Sequence, residues 1–266
     1  MSKTSLLVVK IGGNIVDDED ALGVFLSDFA SLPQHKILVH GGGKLATELS
    51  KRLGIETKMV EGRRITDEET IKVVTMTYAG LINKSIVAKL QSKQCKAVGL
   101  SGADAQLIPA VKRPVKDIDY GWVGDVLKEK INTTFLRTLI KENITPVIAP
   151  ISCDTKGHLL NINADTIAQS LAEAMSSFYA VTLIYCFEKN GLLQNVEDNN
   201  SVIHEINFEK ADALKAQGVI TDGMIPKIDN AFVAIQNGVE TVIVGNALHI
   251  KQLAANEKGY GTRIQS

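Results

Sequence analysis

The stretch Lys36-Ile-Leu-Val-His-Gly-Gly-Gly-Lys44 decides how this chain is read. A short apolar run breaks into three glycines and leads into a helical pattern from about Lys44 to Leu53, which predicts a strand, a bare loop and a helix start. Glycine lacks a Cβ and permits positive φ, so a ligand can approach the chain closely. The helix beyond adds unpaired N–H groups and the positive end of its dipole. The loop therefore predicts a site for an anion, phosphate or carboxylate, without saying which.

Working outward, Leu6-Leu-Val-Val9 ends in Lys10-Ile-Gly-Gly13, a second strand closing on bare backbone with a lysine at its carboxyl end. Helices are predicted at about Asp18 to Ala30, Asp67 to Gln94, Asn132 to Glu142, Ala164 to Met175, Phe208 to Gln217 and Ile225 to Asn237. Further strands are expected at Ala97 to Leu100, Thr145 to Ala149, Ala180 to Tyr185 and Thr241 to Val244. This alternation predicts an α/β fold with a mainly parallel sheet covered on both faces, in which the ends of two sequential strands can face one ligand. Two segments depart from it. Residues Leu107 to Val126, with Pro109 and Pro114, predict a β-hairpin laid over the sheet as a lid, and Glu188 to Val202 predicts an exposed loop.

The 266 residues, 45% hydrophobic and 22% charged, are enough for a substantial core. A net charge of -1 from 29 basic and 30 acidic residues supplies no global field for nucleic acid or an anionic membrane, so any anion is bound locally. Cys95, Cys153 and Cys186 lie far apart without metal-ligand or disulfide-framework spacing, which fits a reducing cytoplasm. The apolar start ends at Lys10, too short for a signal segment or a membrane span.

Several motifs invite rival readings. Gly41, Gly43 and Ala46 satisfy G-x-G-x-x-A, with Glu61 twenty positions on, as a dinucleotide fold requires, but that fingerprint belongs to the first βαβ unit and here a strand and helix precede it. Neither glycine cluster has P-loop spacing, and no G-x-S-x-G or H-E-x-x-H occurs. Arg63 and Arg64 precede a helix with Thr66 or Asp67 as its cap; on the residues alone a solvated surface is the favoured reading. Asn161-Ile-Asn-Ala-Asp165 holds more polar groups than a cap by Asn163 needs. Gly223-Met-Ile-Pro-Lys227 puts a cation at the positive end of a helix dipole, where a bound anion would compensate it.

Taken together, Lys10-Ile-Gly-Gly13, His40-Gly-Gly-Gly43, Arg64, Asn161-Ile-Asn-Ala-Asp165, Gly223-Met-Ile-Pro-Lys227 and Gly259-Tyr-Gly-Thr-Arg263 resemble the amino acid kinase family along essentially the whole chain. The resemblance implies a single domain, residues 1–266, forming an open αβα sandwich with a β-hairpin lid. Residues 1–175 would bind the amino acid and form a homodimer, and residues 176–266 would bind ATP with Mg2+. It implies ATP-dependent phosphorylation of the side-chain carboxylate of N-acetyl-L-glutamate to an acyl phosphate in arginine biosynthesis. By matched position Lys10 and Lys227 would stabilise the transferred phosphoryl group, with Asp165 holding both lysines. Gly12, Gly13, Gly42 and Gly43 would bind phosphate. Gly42, Gly43, Arg64, Asn161 and Asn163 would bind the acylated glutamate, which replaces the solvated reading of Arg64. No protein metal ligand is implied.

Other members of the family, such as glutamate 5-kinase or carbamate kinase types, and a non-catalytic amino-acid-binding homologue are the alternatives. The chain departs from the family's pattern at Cys186-Phe-Glu-Lys-Asn-Gly191 in the nucleotide lobe, and at Lys44, Arg63 and Trp122 on the substrate side. The added cations suggest tolerance of a carboxylated acyl group, so N-succinyl-L-glutamate joins N-acetyl-L-glutamate as an expected substrate. Because the chain begins at its first strand, a homodimer weakly inhibited by arginine is expected.

Overall fold

The strand at Ser5–Ile11 (β1) is apolar at nearly every position, and such a strand is stable only when both faces are covered. Its side chains divide accordingly: Leu6 and Val8 enter one hydrophobic core, Leu7, Val9 and Ile11 the other. The computed structural model describes residues 3–60, 63–220 and 224–265.

Around β1 lies an eight-stranded sheet. The other strands are β2 (His35–His40), β3 (Ala97–Leu100), β4 (Thr145–Ile148), β5 (Ala180–Phe187), β6 (Glu205–Ile206), β7 (Thr241–Asn246) and β8 (Thr262–Ile264). Their order is β6-β8-β7-β5-β1-β2-β4-β3, with every pairing parallel except β7 to β8. Because β2 flanks β1 on one side and β5 on the other, a crevice opens outside the carboxyl end of β1, where such sheets bind their ligands.

Eight helices position the site: α1 (Glu19–Ser31), α2 (Gly43–Arg52), α3 (Glu68–Thr75), α4 (Asn83–Gln91), α5 (Thr133–Lys141), α6 (Ala164–Ser176), α7 (Phe208–Ala216) and α8 (Ile225–Gln236). On one face, Leu136 and Ile140 of α5, Ile167 and Leu171 of α6 and Ile228 of α8 pack with Leu6, Val8, Ile37 and Val39. On the other, Phe25 and Phe29 of α1 and Ile86 and Leu90 of α4 pack with Leu7, Val9 and Leu38. Asp18, Asp67, Asn132 and Asn207 accept backbone N–H bonds at the starts of α1, α3, α5 and α7, so these starts are written into the sequence as side-chain caps.

The long helical run predicted from Asp67 to Gln94 spans Glu68 to Gln91, but Met76–Ile82 winds as a π-type segment. The predicted hairpin is present as Ala110–Lys112 paired antiparallel with Gly124–Val126. The segment Glu188 to Val202 is largely exposed, with a difference: Leu192 and Leu193 are buried, and Leu193 forms a bridge with Val202. Two small antiparallel pairs lie beside the main sheet: Met59–Val60 with Arg63–Arg64, which was not expected, and Leu159–Asn161, strand-like in sequence at Leu159-Leu160, with Ile151–Cys153. Among the described residues no helix is long and apolar enough to cross a membrane.

Candidate active site

Parallel pairing of β1 with β2 puts Ile11 opposite His40, so the glycines that follow each strand lie against one another. Gly41 donates its N–H to the Ile11 carbonyl at 3.1 Å. A Cβ placed on Gly41 would stand 3.5 Å from the Gly13 nitrogen, and one on Gly13 would stand 3.8 Å from the Gly43 nitrogen. Gly42 has φ +153°, and a Cβ there would overlap the Ile82 side chain and approach Tyr78 Cδ1 to 3.2 Å. Gly43 opens α2, and a Cβ on it would meet nothing within 4 Å. Gly42 is thus required by the fold, whereas Gly43 keeps open space beside a helix N-terminus.

His40 underpins this loop rather than reacting in it. It is fully buried, its Nδ1 donates to the Gly41 carbonyl at 2.8 Å, and its Nε2 accepts from Asn83 Nδ2 at 3.2 Å, which fixes the neutral tautomer. Burial lowers its pKa to about 4.

Lys10, at the end of β1, reaches Asp165 in the first turn of α6: Nζ lies 2.7 Å from Oδ1. At that distance the ammonium and the carboxylate form a close ion pair. Lys227, in the first turn of α8, stands with its Nζ 4.0 Å from the other carboxylate oxygen. Asn163 caps α6 through Oδ1, which accepts from the Asp165 and Thr166 nitrogens at 2.7 and 3.4 Å. Three segments far apart in the chain, the end of β1 and the starts of α6 and α8, therefore converge on one carboxylate between two ammonium groups.

A cavity of about 370 Å³ opens over this cluster, lined by Lys10, Gly12, Gly13, Lys44, Asp165 and Lys227 together with Asn14, Tyr185, Cys186, Phe187, Glu188 and Val244. Asn14 Nδ2 donates to Glu188 Oε1 at 3.1 Å, tying the first glycine loop to the segment after β5. Burial pushes the Cys186 thiol up to about 12, so it is no nucleophile at neutral pH.

A second cavity, about 220 Å³, is lined by Gly41, Gly42, Gly43, Arg63, Arg64, Tyr78, Arg113, Asn161 and Asn163, among others. The two cavities have Gly43 in common. Arg64 is 8% exposed and, among the described residues, donates only to neutral acceptors: Nη2 to the Gly43 carbonyl at 2.9 Å and Thr47 Oγ1 at 2.8 Å, Nη1 to Thr57 Oγ1 at 3.2 Å. A buried guanidinium without a counter-charge is costly, and an anionic ligand would supply one. Asn161 Nδ2 donates to Thr66 Oγ1 at 3.1 Å. Thr66 exchanges backbone bonds with Tyr120 and Trp122, and Asn161 N donates to the Trp122 carbonyl. The lid loop thereby joins the arginine strand to the Asn161 strand.

Every nominated residue among Lys10, Gly12, Gly13, Gly42, Gly43, Arg64, Asn161, Asn163, Asp165 and Lys227 lines one of the two cavities. Glu61, Gly62 and Gly223 lie outside the described residues. Asn163 Oδ1 is taken up by its cap. The sequence did not point to Arg113, Tyr78, Asn14, Glu188 or Asp17. Arg113 arrives through hairpin register and Tyr78 through the π-type turn beneath Gly42. Asp17 has both carboxylate oxygens enclosed without a hydrogen-bond partner among the described residues, and burial raises its pKa against the pull of Lys44. Only the charge of Arg113 within a lid hairpin was a visible signal.

The profile of the Amino acid kinase family matches residues 5–246. The acetylglutamate kinase of Cytophaga hutchinsonii is 55% identical over 97% of this chain and 98% of its own length. Among solved structures, smu.665 from Streptococcus mutans is 26% identical with a TM-score of 0.77, covering 98% of both chains. The carbamate kinase of Giardia lamblia bound to AMP-PNP shares the fold at 15% identity, with a TM-score of 0.70 over 99% of this chain and 98% of that one. On the extent of these matches, the chain belongs to the amino acid kinase family.

Proposed function

We propose that this chain is a phosphotransferase of acetylglutamate kinase type, moving the γ-phosphoryl group of ATP onto the side-chain carboxylate of N-acetyl-L-glutamate in arginine biosynthesis. The observation that carries the reading is the pair of cavities meeting at Gly43, one ringed by lysines and the other holding a buried arginine that has no carboxylate partner among the described residues. Relatives bearing the acetylglutamate kinase name over nearly the full length support the choice of substrate.

In this reading ATP occupies the lysine cavity, with residues 176–266 as its lobe, and the acylated glutamate occupies the arginine cavity, with residues 1–175 as its lobe. Phosphoryl transfer needs alignment and charge stabilisation more than covalent help from the protein. Lys10 and Lys227 supply positive charge at the transferred group, Asp165 holds both in place by attracting each and offsetting their mutual repulsion, and Gly12, Gly13, Gly42 and Gly43 offer backbone N–H groups. Arg64 pairs with the α-carboxylate, and Asn161 contacts the α-substituents. The acceptor carboxylate is ionised at neutral pH, so no general base is needed, in keeping with a neutral His40 turned into the core.

Asp165 is engaged by two lysines, and among the described residues no cluster of three or more His, Cys, Asp or Glu is placed to hold a metal. We assign Mg2+ to the triphosphate oxygens and water because the ion gives up its hydration shell reluctantly; there it would neutralise phosphate charge. A cytoplasmic homodimer completes the proposal; exposed Met76 and Leu81 on the long helical run provide an apolar face for a second copy. Coupled measurement of ADP release over free glutamate, N-acetylglutamate, N-acetylaspartate and carbamate tests the reading: turnover is expected with N-acetylglutamate, and turnover with only free glutamate or carbamate would overturn it.

A further inference from the structure

The lysine cavity holds a third lysine. Lys44, where the chain departs from the family's pattern, follows Gly43 in the first turn of α2. It lines the lysine cavity and not the arginine cavity, so contrary to the sequence expectation it stands on the phosphate side of the site. Lys10 and Lys227 share the carboxylate of Asp165, whereas Lys44 forms no hydrogen bond or ion pair among the described residues. A cation in the first turn of a helix opposes the dipole, and an anion in the cavity would relieve it.

The charge balance shows what this side chain adds. Among the described lining residues, Lys10, Lys44 and Lys227 stand against Asp165 and Glu188, three positive charges against two negative, so the net positive charge is lost with Lys44. The reaction brings two anions together. An oxygen of the acceptor carboxylate bonds to the γ-phosphorus while the bond from that phosphorus to the β–γ bridging oxygen breaks, its electron pair leaves with ADP, and no proton moves. Gly43 is common to both cavities, so their meeting point lies one residue from Lys44. Lys10 comes from the end of β1 and Lys227 from the start of α8; Lys44 is the lysine carried by the loop that also faces the acceptor.

A carboxylate lies close to the same glycines. The Asp17 N–H donates to the Gly13 carbonyl at 2.8 Å. A Cβ on Gly13 would stand 3.6 Å from Asp17 Oδ2 and 3.8 Å from the Gly43 nitrogen, so the Asp17 carboxylate is folded back against both glycine loops. Both of its oxygens are enclosed and take no hydrogen bond among the described residues. Burial raises its pKa, Lys44 draws it down, and Glu48, one turn along α2, pushes it up.

Resting on the function proposed above, we propose that Lys44 is a third catalytic cation, contacting the transferred phosphoryl group from the acceptor side, and that Asp17 is its positioning residue. Attraction to Asp17 draws the Lys44 ammonium over the glycine loops instead of outward into water. There it offsets the repulsion between the incoming carboxylate and the phosphoryl oxygens.

Hydroxamate formation from MgATP with N-acetyl- and N-succinyl-glutamate gives kcat and KM for the wild type and for Lys44→Met, a change at an exposed position that keeps the fold. Lys44→Met is expected to lower kcat about 10–100-fold and to leave KM for MgATP within about threefold, as a charge felt chiefly in the transition state requires. Lys44→Cys treated with 2-bromoethylamine regains an ammonium on a thioether of lysine length; its kcat is expected to rise about tenfold, while the wild type treated alike keeps its rate. Asp17→Asn and Asp17→Ser, which both remove an enclosed charge, are expected to lower kcat about 3–10-fold in the wild type and less than about twofold in Lys44→Met, since residues that act as a unit are not additive. A Lys44→Met kcat within about threefold of the wild type, a change in KM alone, or a loss that aminoethylation does not restore would overturn the role of Lys44. Equal effects of the Asp17 changes in both backgrounds would overturn that of Asp17. Wild-type protein that forms no hydroxamate from either derivative would instead sink the kinase reading itself.

Discussion

Adjacent glycines at 42 and 43 have different physical reasons to be glycine, and a pair of alanine substitutions separates them. At Gly42 the φ of +153° is strained for any L side chain, and the new methyl would overlap Ile82 and crowd Tyr78. Backbone strain of about 1–3 kcal/mol and overpacking of about 1–3 kcal/mol sum to roughly 2–6 kcal/mol. At about 2–4 °C per kcal/mol for a chain of this size, Gly42→Ala should melt roughly 4–24 °C below the wild type. Gly43 begins α2 without positive φ and its Cβ would touch nothing, so Gly43→Ala should change stability by less than about 1 kcal/mol, in the stabilising direction. Its methyl would nonetheless stand where the two cavities meet. Displacing reacting groups by one methyl radius should lower kcat/KM on the order of 10²-fold. Thermal melts by circular dichroism and coupled initial rates read both quantities on the same samples. A Gly43→Ala enzyme with near-wild-type activity, or a Gly42→Ala protein melting like the wild type, would refute this assignment.

Asp165→Asn removes the charge between Lys10 and Lys227, and kcat should fall on the order of 10²–10³-fold with much smaller changes in either KM, as initial rates at saturating substrates will show. Arg64→Lys keeps the charge but loses the fork held by Gly43, Thr47 and Thr57, so KM for the acylated glutamate should rise about tenfold or more while KM for ATP stays within about twofold. His40 has its pKa lowered from 6.5 to about 4, so as pH falls through 6.5 the unfolded chain takes up a proton that the folded chain refuses. The folded state loses on the order of 3 kcal/mol from this group by about pH 4, and histidine ring NMR should show the His40 imidazole still neutral at about pH 5. Cys186, though it lines the lysine cavity, should resist iodoacetamide in the native protein at about pH 8 and react once unfolded, as peptide mass mapping will report.

The apolar runs at Leu6 to Val9 and Ile37 to Val39 were legible as buried parallel strands because both faces of each are covered, which leaves no polar alternation to confuse the pattern. The residues alone marked Lys10 at a strand end and Lys227 in a helix first turn, and the family resemblance implied that Asp165 holds both; the three do lie together at one edge of the sheet. Strands of two or three residues, β6 and β8, are shorter than any period and left no trace. Arg64 read as surface from its neighbours alone, since its burial depends on a two-residue pairing with Met59 and on Thr47 one helix away. Arg113 was hidden for a similar reason: its place beside the substrate cavity is set by hairpin register and the Val123 bridge to Asn161, long-range pairings no local pattern encodes.

The central claim is that an acylglutamate side-chain carboxylate becomes an acyl phosphate where the two cavities meet. Incubating the protein with MgATP, N-acetyl- or N-succinyl-glutamate and hydroxylamine traps such a product as a hydroxamate, seen as its coloured ferric complex. Hydroxamate that requires ATP and the acylated glutamate together, and that is lost in Lys10→Ala, is the predicted result. ATP consumption without hydroxamate from either glutamate derivative, or none of either, would contradict the account.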